Sequence, residues 1–342
     1  MQIIQGGWFV NLTKEMSFLP TLVSDEVIII DNWLGPTFDL LPMVVKKQST
    51  KFFSDTYFDV KDYRYNNQFC YTGAFFYRQL AEYIKYMQCF QTNFETKKPF
   101  AFALSKNRWS RTLAVKIIEW FQLQNYNYTS NCYNTYIGND ILASLSQTSK
   151  VLKNNMIEFM AQPVKLENKK VYKEFTELDI QSNASMKDRA PKNFIANLET
   201  LFNETAVHLV AETVGFVKPE ITIFTEKSIH PICALNIPIW LGGWNMVKTW
   251  RNLGFDTFDD VIDNSYDECL NYFDRCFYAV EKNYRLLTDL DYASGIRNQL
   301  KDRLISNRNH LFKLYDIQID KIKLYNCSDE VKNFFLRFIY AA

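Results

Sequence analysis

The chain has 342 residues, 47% hydrophobic and 16% aromatic, with 39 basic and 38 acidic side chains and a net charge of +1. This is a globular composition, long enough for two domains with full cores. The balanced charge excludes a global field that would draw the protein to nucleic acid or an acidic membrane, so any such contact must be a local patch.

The first residues, MQIIQGGWFVNLTKE, lack a basic leader and a long apolar core, and no run of eighteen apolar residues follows anywhere. Neither secretion nor a membrane span is expected. Seven cysteines with no C-x-x-C and no Cys/His cluster predict buried thiols in a reducing, cytoplasmic compartment. Residues 1–97 read as a first α/β unit, with a strand Val27-Ile28-Ile29-Ile30 running into Asp31-Asn32-Trp33 and a Gly35-Pro36 turn. A second turn at Tyr71-Thr72-Gly73 leads into a helical period at Phe76, Leu80, Ile84 and Met87. Asp31, Trp33 and the Tyr71-Thr72 pair are candidate acceptor-side groups, set against the plainer meaning of an exposed turn.

The polar stretch 92–98 reads as a linker. A strand over 99–104 then opens into Ser105-Lys106-Asn107-Arg108-Trp109-Ser110-Arg111, and an amphipathic helix is predicted over 112–123. Cations at a helix start oppose the macrodipole unless something negative is bound there, so Lys106, Arg108 and Arg111 form a candidate phosphate site; the alternative is a solvated basic turn. Residues 124–190 predict one helix over 141–160 and long surface loops, and a helix over 194–202 returns to the sheet.

The stretch 206–267 organises the rest. The apolar runs 207–210 and 221–224 predict two buried strands that end on Glu212 and Glu226. A helix over 228–235, a third strand over 237–241, the pair Gly242-Gly243 and a helix from Trp244 follow. Glycines let backbone approach a ligand, and helix N-terminal amides favour an anion. That order describes a nucleotide-type site, in which a carboxylate holds ribose hydroxyls and an ammonium a phosphate; an α/β repeat with surface charges fits the pattern equally well. From residue 267 the chain reads as helical, including 294–315 and 330–340. The aromatic run 331–340 must pack on something, and the prediction is that it crosses back onto residues 1–97, with a self-association surface as the rival reading. Asp289-Leu290-Asp291 has a cation-binding D-x-D spacing but falls in this helical region and reads as a solvated helix face. Three scattered histidines offer no zinc cluster, and His230 reads as a packing residue.

Thr225-Glu226-Lys227, reached from an apolar strand and followed by Pro231, Ile239-Trp240 and Gly242-Gly243, resembles the signature of fucosyltransferase-like and exostosin-like glycosyltransferases. Trp250-Arg251-Asn252-Leu253-Gly254-Phe255-Asp256-Thr257-Phe258 and Ile262-Asp263-Asn264-Ser265-Tyr266-Asp267 extend the likeness to virus- and phage-encoded glycosyltransferase-like proteins, with a looser match over 99–120. Residues 1–97 carry no such match.

The resemblance implies an α/β fold of GT-B type with two Rossmann-like domains. Residues 1–97 would be the acceptor-side domain, 98–266 the nucleotide-sugar donor-binding domain, and 267–342 the C-terminal helices. By position, Glu226 would hold the ribose, Lys227 the donor phosphates and Arg108 or Arg111 the diphosphate, with Lys106, Thr225, Gly242 and Gly243 completing the donor site. The implied activity is metal-independent sugar transfer, with a nucleotide-diphosphate sugar as co-substrate and no other cofactor. The catalytic base is unassigned, and Asp31, Asp39 and Glu212 are its candidates. A hydroxymethylated base in phage DNA or a glycan would be the acceptor, and the host cytoplasm the place of action for a viral enzyme. The competing expectation is a catalytically silent glycosyltransferase-like fold that serves as a binding or virion-associated protein.

Overall fold

The computed structural model describes residues 94–104, 108–169, 201–212 and 224–323, together with short strand and helix positions elsewhere. Asp39, Lys106 and the side chains of Asp31 and Glu226 lie outside the described residues. The architecture is α/β. Strands β1 (Gln2–Gly6), β2 (Val27–Asp31), β3 (Thr50–Ser54), β4 (Tyr57–Phe58) and β5 (Phe69–Tyr71) come first. Of these, β1, β2, β3 and β5 form a four-stranded sheet in that order, parallel at every pairing. Of the three five-residue strands apolar patterning marks β2 alone, because QIIQG and TKFFS place polar residues inside β1 and β3.

The second sheet is built from β6 (Lys98–Ala103), β7 (Asn127–Thr129), β8 (Thr205–Ala211) and β10 (Ile237–Leu241), in the order β10-β8-β6-β7 with all pairs parallel. All seven residues of β8 are buried, as a strand covered on both faces requires. The chain enters at β6, steps out to β7 on one side, and then returns to β8 and β10 on the other. Winding therefore reverses between β6 and β8, and in an open α/β sheet the strand ends at such a point border a ligand-binding crevice.

One expected strand is placed differently. β9 (Ile221–Thr222) stands outside this sheet and pairs antiparallel with β4, Tyr57 opposite Thr222. The edge of β8 it would have occupied is taken by β10, with Ile237 opposite Val207.

Nine α-helices lie among the described residues: α1 (Trp109–Trp120), α2 (Asn139–Thr148), α3 (Asn154–Ala161), α4 (Glu226–Cys233), α5 (Met246–Asn252), α6 (Tyr272–Lys282), α7 (Tyr284–Thr288), α8 (Leu290–Gln299) and α9 (Lys301–Lys323). A 3-10 turn, Ser265–Glu268, precedes α6. The single helix expected over 141–160 is two, broken where Asp274 accepts the Ser149 hydroxyl and the Lys150 amide at 2.7 Å. These bonds hold the chain extended and stop helix propagation.

Helix α6 packs on α1 and β10, α7 and α8 lie against β6, α8 also reaches β8, and α4 sits on β8 and β10 with α9 against it. These C-terminal helices thus complete the layers around the second sheet. Arg297 of α8 is fully buried and donates to the carbonyls of Leu235 at 3.0 Å, Ala234 at 3.2 Å and Asn203 at 3.3 Å, closing the end of α4. Its guanidinium also lies over Phe94, so the stretch read as a linker is anchored at Phe94 while Glu95 and Lys97 stay exposed. Tyr315 of α9 meets Tyr77 with ring centroids 6.4 Å apart, one contact with the first 97 residues. Leu336 packs against the main core, while most of the aromatic run 331–340 lies outside the described residues. No helix among the described residues is long and apolar enough to cross a membrane.

Candidate functional site

The crevice between β6 and β8 is built from two strand ends. At the end of β6 the helix begins at Trp109, three residues before its apolar period, so Arg108 is the N-cap and Arg111 falls in the first turn. No acidic residue offsets these charges in that turn. Arg108 is half-buried, whereas Arg111 is only 2% exposed. The Arg111 charge acts on the Cys132 thiol and the Tyr272 hydroxyl, which places it toward the loop after β7 and toward α6. Trp109 packs edge-on against Tyr272 at 5.6 Å, and the Thr112 and Thr135 hydroxyls are 3.2 Å apart. The two arginines therefore differ in access: Arg108 is half-buried, whereas Arg111 is enclosed.

At the end of β8, Glu212 is 1% exposed. Its carboxylate accepts the Thr225 amide at 3.2 Å, the Thr225 hydroxyl at 2.6 Å and the Ser228 hydroxyl at 2.6 Å. Thr225 in turn caps α4 by accepting the Lys227 amide at 3.3 Å. Lys227 is 7% exposed, with Nζ 3.5 Å from the Thr225 hydroxyl. The strand end thus holds the helix start, and through it the position of Lys227. A carboxylate engaged by three donors is a positioning group, so the geometry directs Glu212 to that task.

The Gly242 side is occupied by the protein's own groups. The Gly242 carbonyl accepts Nε of the buried Arg275 at 3.0 Å, and a Cβ added at Gly242 would stand 2.0 Å from Sδ of Met246. The glycine makes room for the protein's own methionine. Helix α5 begins at Met246, after Asn245 in the left-handed region at φ 58°, and its amides are taken by Asp267, which accepts from Lys248 at 3.0 Å and also from Val247 and Met246. Burial pushes the Asp267 carboxyl above its ordinary value while these amides pull the other way. The anion expected at this helix start is therefore an internal carboxylate. Arg275 belongs to no motif, and Asp267 closes the 262–267 run without a site role there; the signal for its role is that α5 has no acidic residue in its own first turn.

The remaining polar groups serve packing. His208 and His230 lie on the Phe202 ring at 4.6 and 5.4 Å, and burial lowers both pKa values, that of His208 to about 3. Burial raises the Cys233 and Cys276 thiols to about 12, which makes them poor nucleophiles. Asp289 caps α8 by accepting the Tyr292 amide at 2.9 Å and pairs with Arg285 at 3.4 Å, so the D-x-D spacing is a helix cap. Arg108 stands past the end of β6, Glu212, Thr225 and Lys227 are joined by hydrogen bonds at the end of β8, and the Gly242 side is closed over by Met246, Arg275 and Asp267. No family model, curated protein or solved structure matches this chain.

Proposed function

We propose that the chain is a glycosyltransferase of GT-B type, taking a sugar from a nucleotide-diphosphate donor bound in the crevice between β6 and β8. The observation that carries the reading is the reversal of winding there, with Arg108 at one strand end and the Thr225-Glu226-Lys227 helix start at the other. In this reading Arg108 and Lys227 meet the diphosphate and stabilise the charge that develops on the leaving nucleotide. Glu226 takes the ribose hydroxyls. Glu212 does not touch substrate but sets the helix start that presents Lys227.

The first sheet, also four parallel strands, supports a second Rossmann-like unit on the acceptor side. Asp31 closes β2 at its C-terminal end and is the base candidate of that unit. A hydroxymethylated base in DNA or a glycan remains the proposed acceptor class, and the cytoplasm the proposed compartment. The closure of the Gly242 side by internal groups favours, as the second reading, a silent relative that binds without transfer.

Calorimetry with GDP and UDP tests the donor site. Binding of either is expected, and Arg108→Gln should weaken it by about 1.5–3 kcal/mol, the range for a charged hydrogen bond, while sparing the free nucleoside. Absence of binding by both diphosphates removes the proposal. Where binding is found, a donor screen scored by sugar hydrolysis separates the enzyme from the silent relative without knowledge of the acceptor.

A further inference from the structure

A concavity lies along α5, and none of Arg108, Glu212, Thr225 and Lys227 lines it. It has a volume of about 870 Å³ and is bordered by one face of α5, the loop 259–264 and the turn Ser265–Glu268. That volume is in the range of small-molecule sites and far beyond an ion.

Its walls are fixed by bonds within the protein. Arg251 grips Asp259 through two nitrogens at 2.7 and 3.1 Å, and Asp259 also accepts from Thr257 and from Asn264, each at 2.9 Å. Asn283 holds the Asp263 backbone on both sides, at 3.0 and 3.1 Å. The cleft is thus formed before any ligand arrives, which removes an ordering cost from binding.

Charge narrows the ligand. Asp259 is matched by Arg251, Asp260 by Arg303 and Asp263 by Lys282, while Asp267 is matched by the α5 amides. A phosphate would meet more carboxylates than cations on this lining, and a polycation would find those carboxylates already occupied. What is left is hydrogen-bonding capacity. Among the described residues Lys248 and Glu268 are bonded through their backbones alone, both side chains are exposed on the cleft, and the Asn245 and Asn252 amides border it too.

A roomy, preformed, internally neutralised cleft lined by amides and by one cation and one carboxylate with spare donors and acceptors suits a neutral ligand dense in hydroxyls. We propose that this cleft binds a neutral oligosaccharide, each sugar hydroxyl both donating to and accepting from these groups. The inference stands apart from the transferase reading, since it uses none of the crevice residues.

The test is saturation-transfer NMR with maltotriose, cellotriose and triacetylchitotriose on the full chain. At least one should receive saturation. Asn252→Trp, which fills the cleft from an exposed helix position, should weaken that binding at least tenfold, and Glu268→Ala about fivefold, with unchanged thermal unfolding in both. The signal should persist with saturating GDP. Failure of all three sugars, or binding unchanged in both variants, overturns the proposal. Tight binding of inorganic phosphate or spermidine that Asn252→Trp abolishes, with no sugar bound, overturns it as well. A chain that binds sugar here but no nucleoside diphosphate keeps this proposal and loses the previous one, and the reverse result does the opposite.

Discussion

The entry to α4 and the segment 253–260 are both dense in polar residues, and the sequence resemblance spans both. At the first, Glu212, Thr225 and Ser228 consume one another's hydrogen bonds inside the sheet, and the product is a placed lysine at a strand end. At the second, the polar groups are consumed by α9. His310 donates to the Leu253 carbonyl at 2.7 Å, Asn307 bonds both backbone groups of Asp256, and Arg303 forks onto Asp256 and Asp260 at 2.6 to 2.9 Å. Gly254 takes φ +90° there, and a Cβ would come 2.9 Å from Nε2 of His310, so the position requires glycine on both counts. The same kind of motif thus fixes a helix start in one place and docks a helix in the other. A recurring run of charges and glycines is as good a record of a folding requirement as of a site.

The largest expected difference between carboxylates in these surroundings is in stability. Glu212→Ala strands three buried donors at once, and each unsatisfied group costs about 1–3 kcal/mol before relaxation, so a loss of about 3–4 kcal/mol is expected. The exposed Glu268→Ala should stay within about 0.5 kcal/mol. Urea unfolding of both variants measures the contrast; equal midpoints would mean that the Glu212 network is not the anchor of α4.

Much of the second sheet was readable because strands buried on both faces are spelled as near-continuous apolar runs. β6, β8 and β10 are such runs, and the 237–241 strand falls where its sequence predicts. β7, with only three residues, and β1 and β3, with polar residues inside, carry too weak a period. The basic loop before α1 was legible as a strand-to-helix junction, yet which arginine stays accessible depends on Cys132 and Tyr272, groups distant in sequence. The fate of the α5 amides was illegible for the same reason: their carboxylate comes from 19 residues further on. Local spacing reports periods and turns; it does not report which partner arrives across the fold.

A second contrast is in acid. His208 and His230 are neutral in the folded chain, whereas an unfolded histidine takes a proton near pH 6.5. Their folded pKa values are lowered, so stability is complete above that pH and falls below it as the unfolded state gains protons. The slope is about 1.4 kcal/mol per pH unit for each histidine, and for His208 it continues toward pH 3. Near α9 the sign is the same, but the window lies lower. Hydrogen bonds from Arg303 hold Asp256 and Asp260 below the ordinary carboxylate value, so their contribution persists well under pH 5 and is lost only as they protonate. Urea midpoints between pH 7.5 and 4 should therefore fall from about 6.5 downward, and His208→Phe, which keeps a ring on Phe202, should lessen the slope. A flat profile over pH 7 to 5 would show that neither histidine is sealed.

The smallest expected effect isolates the α9 clamp. Arg303 is 37% exposed on its side chain and Asp256 35%, so solvent screening discounts the pair despite its short bonds. Double-mutant cycles on exposed pairs return about 0.2–1 kcal/mol, and a forked geometry belongs at the upper end of that range. The cycle of Arg303→Gln and Asp256→Asn should give a coupling near 1 kcal/mol at pH 7, reduced by salt and vanishing once Asp256 is protonated. The guanidinium also covers the Phe258 ring at 5.1 Å, so Arg303→Gln alone should cost more than Asp256→Asn alone. A coupling that survives protonation of Asp256 would mean that the clamp acts through packing on Phe258 rather than through charge, and the segment 253–260 would then be held chiefly by Asn307 and His310.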